Sequence, residues 1–383
     1  MGVFHFTVKI LFGEGCLRTL PEEAALQGAT RPLVVTDPGI ASAGLLDHTL
    51  APLKKKGLDP AVYDGVEPDP KLRNVREAAE IIKKGGHDLV IAVGGGSAMD
   101  AAKAAAIQAA NDIDIREFQG PRPSYPRPPL PLFTVPTTAG TGSEVSSAAV
   151  VVDEEKKYKM YFKSPQIFSR IAFLDPVMIA GMPSWLAAAA GADTLSHAVE
   201  SYLNPNRTAF TEANSLGALE LVFKNLRPFV GNTRNSEAAR SMMLASAMAG
   251  ISMTTAGLGL VHALAHPIGV WGGVHHGTAC GMLLPHVMAF NWLAEPARFE
   301  RLAQAMDWRL SADYPPREIG MALVQAVREL LEDIGLPASL SKAGKKLPDL
   351  GPVVDEALGS ALNKINPRPA NRSELENLIH LIL

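Results

Sequence analysis

Along the first half of the chain, short apolar runs alternate with longer segments whose apolar residues recur every three or four positions. Between residues 31 and 150, RPLVVTD reads as a strand ending in a turn, the segment around 41–56 as a helix, and AVYDGV as a second strand. LRNVREAAEIIKKGG has helical spacing and closes on Gly85 and Gly86; DLVIAVGGG is an apolar strand that stops at glycine; AMDAAKAAAIQAAN is a helix; PLPLFTVPTTAGTGSE is a strand running into a loop. Strands separated by helices predict an α/β unit with a parallel sheet, whose ligands bind beyond the carboxyl ends of the strands. The proline-rich GPRPSYPRPPLPL, residues 120–132, falls inside this unit and reads as a stiff surface loop, not a linker.

From about residue 183 the pattern changes. PSWLAAAAGADTLSHAVESYL, TEANSLGALELVFKNL, SEAARSMMLASAMAGISMTTAGLGLVHALAH, ARFERLAQAM and REIGMALVQAVRELLEDIG all carry helical spacing. We therefore expect residues 1–182 to form an α/β dinucleotide-binding domain and 183–383 an all-helical metal and substrate domain. Pro267 predicts the end of the helix that carries VHALAH, which leaves His276 in a loop.

Composition narrows the class. The 383 residues are 47% hydrophobic and 20% charged, enough apolar content for one large or two medium cores. A formal charge of -3 gives no reason to expect nucleic acid, and a small-molecule substrate fits better. Cys16 and Cys280 are too few for a disulfide framework, and MGVFHFTVKILFGEG lacks the charged start and apolar core of a signal peptide. Asp193, His197 and Glu200 interrupt the longest alanine-rich run. The expectation is a cytoplasmic protein with no membrane span.

Two loops carry phosphate-binding chemistry. In VIAVGGGSAMDAAK, Gly94, Gly95 and Gly96 stand where a strand ends and a helix begins, so unpaired helix N–H groups face an anion such as a pyrophosphate. The last position of a GxGxxG fingerprint holds no glycine. In VPTTAGTGSEVS, Thr137, Thr138, Thr141 and Ser143 offer hydroxyls to phosphate or ribose. Asp37 ends a strand, where an acid accepts from a ribose 2'-OH. It precedes the glycines rather than following them by the usual twenty or so residues, so position alone makes it the first residue of a DPG turn.

The histidines are concentrated. His262, His266, His275 and His276 lie within fifteen residues of a chain that holds ten in all. Asp193 and His197, like His262 and His266, are four apart and share one face of a helix. An Asp with three His makes an all N/O set suited to Fe2+ or Zn2+. Ala263 replaces the glutamate of HExxH, which disfavours a zinc peptidase. His275 and His276 are adjacent, so at most one reaches a given ion, and His286 reads as a buried structural histidine.

GGGSAMDAAK, PTTAGTGSE, the D-x3-H of DTLSHAVE and H-x3-H-P-x-G followed by HHG together resemble the iron-containing (group III) alcohol dehydrogenase family. The resemblance runs in the family's order from FGEG to beyond residue 290. It implies a Rossmann-like nucleotide domain followed by an all-helical metal-binding domain, an architecture like that of dehydroquinate synthase. The activity it implies is a metal-dependent NAD(H)-linked alcohol dehydrogenase or aldehyde reductase, with hydride passing between nicotinamide C4 and the carbinol or carbonyl carbon and a divalent ion as Lewis acid. Carried over residue by residue, the metal ligands are Asp193, His197, His262 and His276, and His266 is the proton carrier. The cofactor contacts are Asp37, Gly94, Gly95, Gly96, Ser97, Asp100, Thr137, Thr138, Thr141 and Lys159. Asp37 then favours NAD over NADP, and Fe2+ is expected with Zn2+ as the other candidate. Asp69 in VEPDP stands where the family often has asparagine. The resemblance also implies a small alcohol or aldehyde substrate and a homodimer or higher homo-oligomer. Trp271, Phe162 and Trp292 are candidates to line the pocket. A glycerol or polyol dehydrogenase, a synthase of the dehydroquinate type and a non-catalytic nucleotide-binding protein stay open as alternatives.

Overall fold

A computed structural model describes residues 4–122, 124–156, 158–306 and 315–383. The chain divides into two compact units, one formed by His5–Thr138 with Gly142–Ile179, the other mainly by Ala180–Leu383 together with the loop Ala139–Thr141.

The first unit is α/β. Among the described residues its nine strands are β1 (Lys9–Phe12), β2 (Pro32–Val35), β3 (Ala61–Tyr63), β4 (Leu89–Gly94), β5 (Gly120–Pro121), β6 (Leu132–Pro136), β7 (Ala148–Asp153), β8 (Tyr158–Lys163) and β9 (Ile171–Leu174). Six of them pair in parallel in the order β1-β9-β6-β4-β2-β3. The helices here are α1 (Leu20–Leu26), α2 (Pro38–Ser42), α3 (Asp47–Lys55), α4 (Leu72–Gly85) and α5 (Gly96–Asn111). β4 shows why its sequence carries no polar alternation. Its side chains point alternately to two covered faces, Val90 and Ala92 into one apolar cluster and Leu89, Ile91 and Val93 into another.

Two features of this unit depart from expectation, the helix at 41–56 and a second sheet. The helix expected around 41–56 is two helices, α2 and α3, separated by a turn. The proline-rich stretch is a surface loop, with most of its described residues exposed or partly exposed, and it is tied down at two places. β5 pairs with β8, and Tyr125 is buried edge-on against Phe118, 5.3 Å between ring centroids, so backbone pairing and an aromatic contact anchor it; Pro123 lies outside the described residues. β7 and β8 form an antiparallel pair that, with β5, makes a second sheet the sequence reading did not anticipate.

The second unit is helical: α6 (Ser184–Leu203), α7 (Ala209–Gly231), α8 (Ser236–Ala256), α9 (Leu260–Gly272), α10 (His276–Asn291), α11 (Pro296–Met306), α12 (Pro316–Asp333), α13 (Gly351–Gly359), α14 (Ala361–Lys364) and α15 (Arg372–His380). α6 is apolar on nearly every face because α7, α8 and α10 pack around it. The long stretch through VHALAH breaks at residues 257–259 into α8 and α9, and α9 continues through Pro267 instead of stopping there. Proline in a helix interior removes one hydrogen bond, but Leu264, Ala265 and Ile268 around it are buried, and that packing holds the turn. His276 is accordingly not in a loop but opens α10. No single helix among the described residues is long and apolar enough to cross a membrane; α8 and α9 meet both conditions only as a pair bent by 104°.

Candidate metal centre

α6, α9 and α10 bring four sequence-predicted residues to one point. Asp193 Oδ1 lies 3.4 Å from His197 Nε2, 3.5 Å from His262 Nε2 and 3.6 Å from His276 Nε2. These separations exceed the roughly 2.7–2.9 Å of a charge-assisted hydrogen bond. They match the edge of about 3.4 Å that four donors at about 2.1 Å from one tetrahedral ion would make. Oδ1 itself is buried and has no hydrogen-bond partner. An unsatisfied carboxylate oxygen facing three imidazole nitrogens is costly without an ion, so the donor set fits a divalent metal.

Two of the three imidazoles, those of His197 and His262, are held from behind. His197 Nδ1 is 3.2 Å from the Gly140 carbonyl, and His262 Nδ1 is 2.6 Å from Glu200 Oε2, so in both rings Nε2 is left toward Asp193. Glu200 Oε1 also accepts the Val261 N–H at 2.6 Å, and Asn366 Oδ1 accepts the Leu260 N–H at 3.1 Å, which pins the start of α9. His276 is brought in by backbone contact between helices. A Cβ added at Gly277 would lie 2.1 Å from the Ala189 carbonyl oxygen of α6, so only glycine lets α10 approach this closely.

The electrostatics suit a cation. Burial resists the charge of Asp193, yet His197, His276 and His262 hold its carboxyl well below the usual carboxylate range. Burial keeps His197 below its ordinary value, against the pull of Asp193, so its imidazole is neutral and ready to ligate. At His262, burial is outweighed by Cys280, Glu200 and Asp193, which raise it well above its ordinary value. His266 is half-buried and adjoins the group; its ring stacks on His276 with centroids 5.3 Å apart and meets His262 edge-on at 5.9 Å. His275 turns away, edge-on to Trp185. His286 is half-buried, and burial lowers its pKa.

In the α/β unit the turn between β4 and α5 gathers a second set. Gly94 has φ +155°, and a Cβ there would stand 2.6 Å from Ala98 Cβ and 3.3 Å from Asp37 Oδ2. Asp37, following the neighbouring strand β2, thus presents its carboxylate to the glycine turn while its Oδ1 accepts the Ile40 N–H at 3.0 Å and caps α2. Gly95, Gly96 and Ser97 are partly exposed at the start of α5. Thr137 donates its N–H to the Gly94 carbonyl at 3.0 Å, and its buried Oγ1 has no partner. Thr138 flanks Gly95, its Oγ1 3.4 Å from a Cβ placed there.

The chain is similar to known proteins along its whole length. Residues 7–176 match the family described as iron-containing alcohol dehydrogenase, and 187–383 match its C-terminal domain. The chain is 34% identical over 371 residues, 96% of each protein, to lactaldehyde reductase of Escherichia coli (strain K12). It superposes on the crystal structure of a 1,3-propanediol oxidoreductase with a TM-score of 0.96 at 33% identity, covering 100% of both chains. It superposes on sulfoacetaldehyde reductase from Bifidobacterium kashiwanohense, solved in complex with NAD+, with a TM-score of 0.90 at 28% identity, covering 100% of this chain and 98% of that one. The chain belongs to the iron-containing alcohol dehydrogenase family. As a member it is an oxidoreductase, a metal-dependent NAD-linked alcohol dehydrogenase or aldehyde reductase, with a parallel-sheet unit followed by a helical one that carries the metal-ligating cluster.

Other residues singled out on the family pattern have different surroundings. Asp100 Oδ1 accepts from the Ser143 hydroxyl at 2.8 Å and its Oδ2 from the Val150 N–H at 3.0 Å, tying α5 to β7 and the loop before it. Lys159 is ion-paired at 2.8 Å with Asp69, the residue that departs from the family's asparagine. Thr141 lies in the loop that belongs to the helical unit. Phe162 is fully buried in the α/β core, because its position on β8 faces inward; Trp292 packs against Gly320 of α12, and Trp271 donates its indole N–H to Glu356 at 2.9 Å.

Two residues at the centre went unassigned in the sequence. Glu200 continues the Asp193–His197 face at one further turn, a spacing that was legible. Cys280 is one turn beyond His276, and its Sγ lies 3.8 Å from His262 Nε2 and 3.7 Å from His276 Nε2. It adjoins the two histidines through these contacts.

Proposed function

We propose that the protein interconverts a small aldehyde and its alcohol using NAD(H), with a divalent iron held by Asp193, His197, His262 and His276. The observation that carries this reading is the convergence of three imidazole Nε2 atoms on one buried, unpartnered carboxylate oxygen. When bound, the ion supplies Lewis acidity toward the alcohol or carbonyl oxygen, and the nicotinamide supplies the hydride exchange. The chain's own residues do the rest. Gly140 and Glu200 hold the Nδ1 sides of His197 and His262, fixing which nitrogen faces the ion. A ring nitrogen of half-buried His266 carries the hydroxyl proton between the site and solvent.

Gly94, Gly95, Gly96 and Ser97 at the start of α5 form the pyrophosphate seat, with Thr137 and Thr138 as hydroxyl donors and Asp100 and Lys159 bracing the neighbouring loops. The carboxylate of Asp37 at this turn accepts a ribose 2'-OH and repels a 2'-phosphate, which favours NAD over NADP. Relatives named for lactaldehyde and 1,3-propanediol support a small aldehyde or diol as substrate. The same reading takes a homodimer or higher homo-oligomer in the cytoplasm.

The test is an NADH-linked screen of aldehydes and alcohols with protein reconstituted separately with Fe2+ and Zn2+, alongside metal analysis of His262→Ala. The variant is expected to lose the ion and nearly all turnover. Full activity in a metal-free His262→Ala preparation would sink the assignment.

A further inference from the structure

α9 carries His262 and His266, yet its own sequence does not cap it. The residue before its first turn is Gly259, which has no side chain to take the leading N–H groups. A Cβ there would lie 2.6 Å from Asn366 Oδ1 and 3.0 Å from Glu200 Oε1, so two side chains from elsewhere in the helical unit fill the space of a cap. Glu200 accepts the Val261 N–H, and Asn366 accepts the N–H of the fully buried Leu260. Leu260 stands two positions before His262.

Asn366 is itself held on every side. It is buried, as is Asn291 at the end of α10, and the two amides face each other. Asn366 Nδ2 donates to Asn291 Oδ1 at 2.6 Å, and Asn291 Nδ2 donates to Asn366 Oδ1 at 3.2 Å. The remaining proton of Asn366 Nδ2 goes to the Arg368 carbonyl at 2.7 Å, so both donors and both acceptor positions of the amide are used. Flipping it would set its NH2 against the Leu260 N–H, so one orientation holds. Arg368 anchors this turn between α14 and α15. Its guanidinium lies 3.8 Å from the centre of the Phe290 ring and donates to the Phe290 carbonyl at 3.2 Å and to Glu374 at 2.6 Å.

We propose that Asn366 is a positioning residue for the metal centre, capping α9 from the turn between α14 and α15 and so fixing where His262 stands relative to Asp193. The inference rests on the metal-centre reading above and extends its support to a residue 104 positions from the ligand it serves. Without Asn366 the Leu260 N–H is buried and unpartnered, which favours any shift of the first turn of α9 toward another acceptor. Such a shift carries His262 with it and disturbs the 3.5 Å setting of Nε2 against Asp193 Oδ1.

The test uses full-length protein stripped by chelation and reloaded with Fe2+ in the absence of oxygen, with affinity read by competition against a graded chelator. Asn366→Ala should bind Fe2+ about tenfold more weakly than the parent, the lower end for loss of a partner that orients a metal ligand. The Leu260 amide of the metal-free variant should also exchange faster with deuterated water. Asn363→Ala is the control. Asn363 is buried in the same part of the chain, but its hydrogen bonds go to the Ala370 backbone, so this variant should lower the urea midpoint and keep the parent's affinity for Fe2+. Parent affinity in Asn366→Ala, or equal weakening in the two variants, overturns the positioning role and leaves the centre standing. A parent protein that binds no Fe2+ overturns the metal-centre reading, and this inference with it. If Asn366→Ala does not fold, Arg368→Ala decides, because it loosens the turn and keeps the amide. Weaker Fe2+ binding in that variant supports the role, and parent affinity overturns it.

Discussion

Glu200 Oε2 lies 2.6 Å from His262 Nδ1, and this contact turns the opposite nitrogen of the ring toward Asp193. Glu200 Oε1 meanwhile holds the Val261 N–H, so one buried carboxylate sets both the helix start and the ring that it carries. Glu200→Gln keeps the shape but removes the charge and one of the two acceptors. It should weaken metal binding by about 10- to 100-fold, as loss of such supporting partners generally does. Competition against a graded chelator measures the change, and unaltered affinity would show that His262 needs no orienting partner.

Gly277→Ala sets two effects against each other. Alanine is favoured over glycine inside a helix by roughly 0.5–1 kcal/mol. The new methyl would lie 2.1 Å from the Ala189 carbonyl oxygen, a backbone atom that cannot step aside alone. Overpacking of this kind costs about 1–3 kcal/mol, so the net effect is destabilising and moves His276 away from Asp193. Urea unfolding should show a lower midpoint with an unchanged slope, together with weaker metal retention. A stabilised variant that retains its ion would contradict the contact.

His266 touches the cluster through ring contacts with His276 and His262 while remaining half-buried. A group that carries a proton but holds no ion separates two measurements. His266→Ala should keep one metal ion per chain while turnover falls on the order of 100-fold, the lower end of general acid–base contributions. The pH profile of the residual rate should lose the inflection of an imidazole. Loss of metal in this variant would move His266 into the ligand set.

Asp37 serves both the cap of α2 and the glycine turn, and Asp37→Ser separates the two roles. Serine preserves an N-cap acceptor, so stability should change by less than about 0.5 kcal/mol. Removing the charge beside Gly94 should raise kcat/KM for NADPH relative to NADH by about tenfold, equivalent to about 1.4 kcal/mol. An unchanged ratio would place the ribose elsewhere.

Much of this arrangement is local in the chain and therefore readable. The D-x3-H and H-x3-H spacings set side chains on common helix faces, and the apolar run before Gly94 required a strand covered on both sides. What escaped depends on tertiary contact. The hairpin of β7 and β8 lies in a segment whose turn carries no Asn-Gly or Asp-Gly signal. α9 runs through Pro267 because buried neighbours outweigh one missing hydrogen bond. Lys159 and Asp69 are ninety positions apart, and no periodicity links them. Glu200 and Cys280 had visible spacings, but their significance comes from the helices packed against them.

Glu144 follows the loop after β6 and is buried; burial raises its pKa from 4.5 to about 7 against the pull of its own backbone N–H and of Lys103. Between those two values the folded chain keeps a proton that the unfolded chain has lost, so stability falls as pH rises from about 4.5 to 7 and levels off above. Lys103 does not blur this window. Burial lowers it only to about 8, so it stays charged throughout and donates to Ser143 and Ser146 and to the Ala148 carbonyl. Glu144→Gln cannot ionise and should remove this part of the pH dependence. Unfolding in urea at pH 5 and pH 7.5 should show the variant gaining on the parent by about 1–3 kcal/mol at the higher pH, the order expected of a shift of this size. A difference that is constant between the two pH values would mean that the carboxyl is already ionised at pH 5.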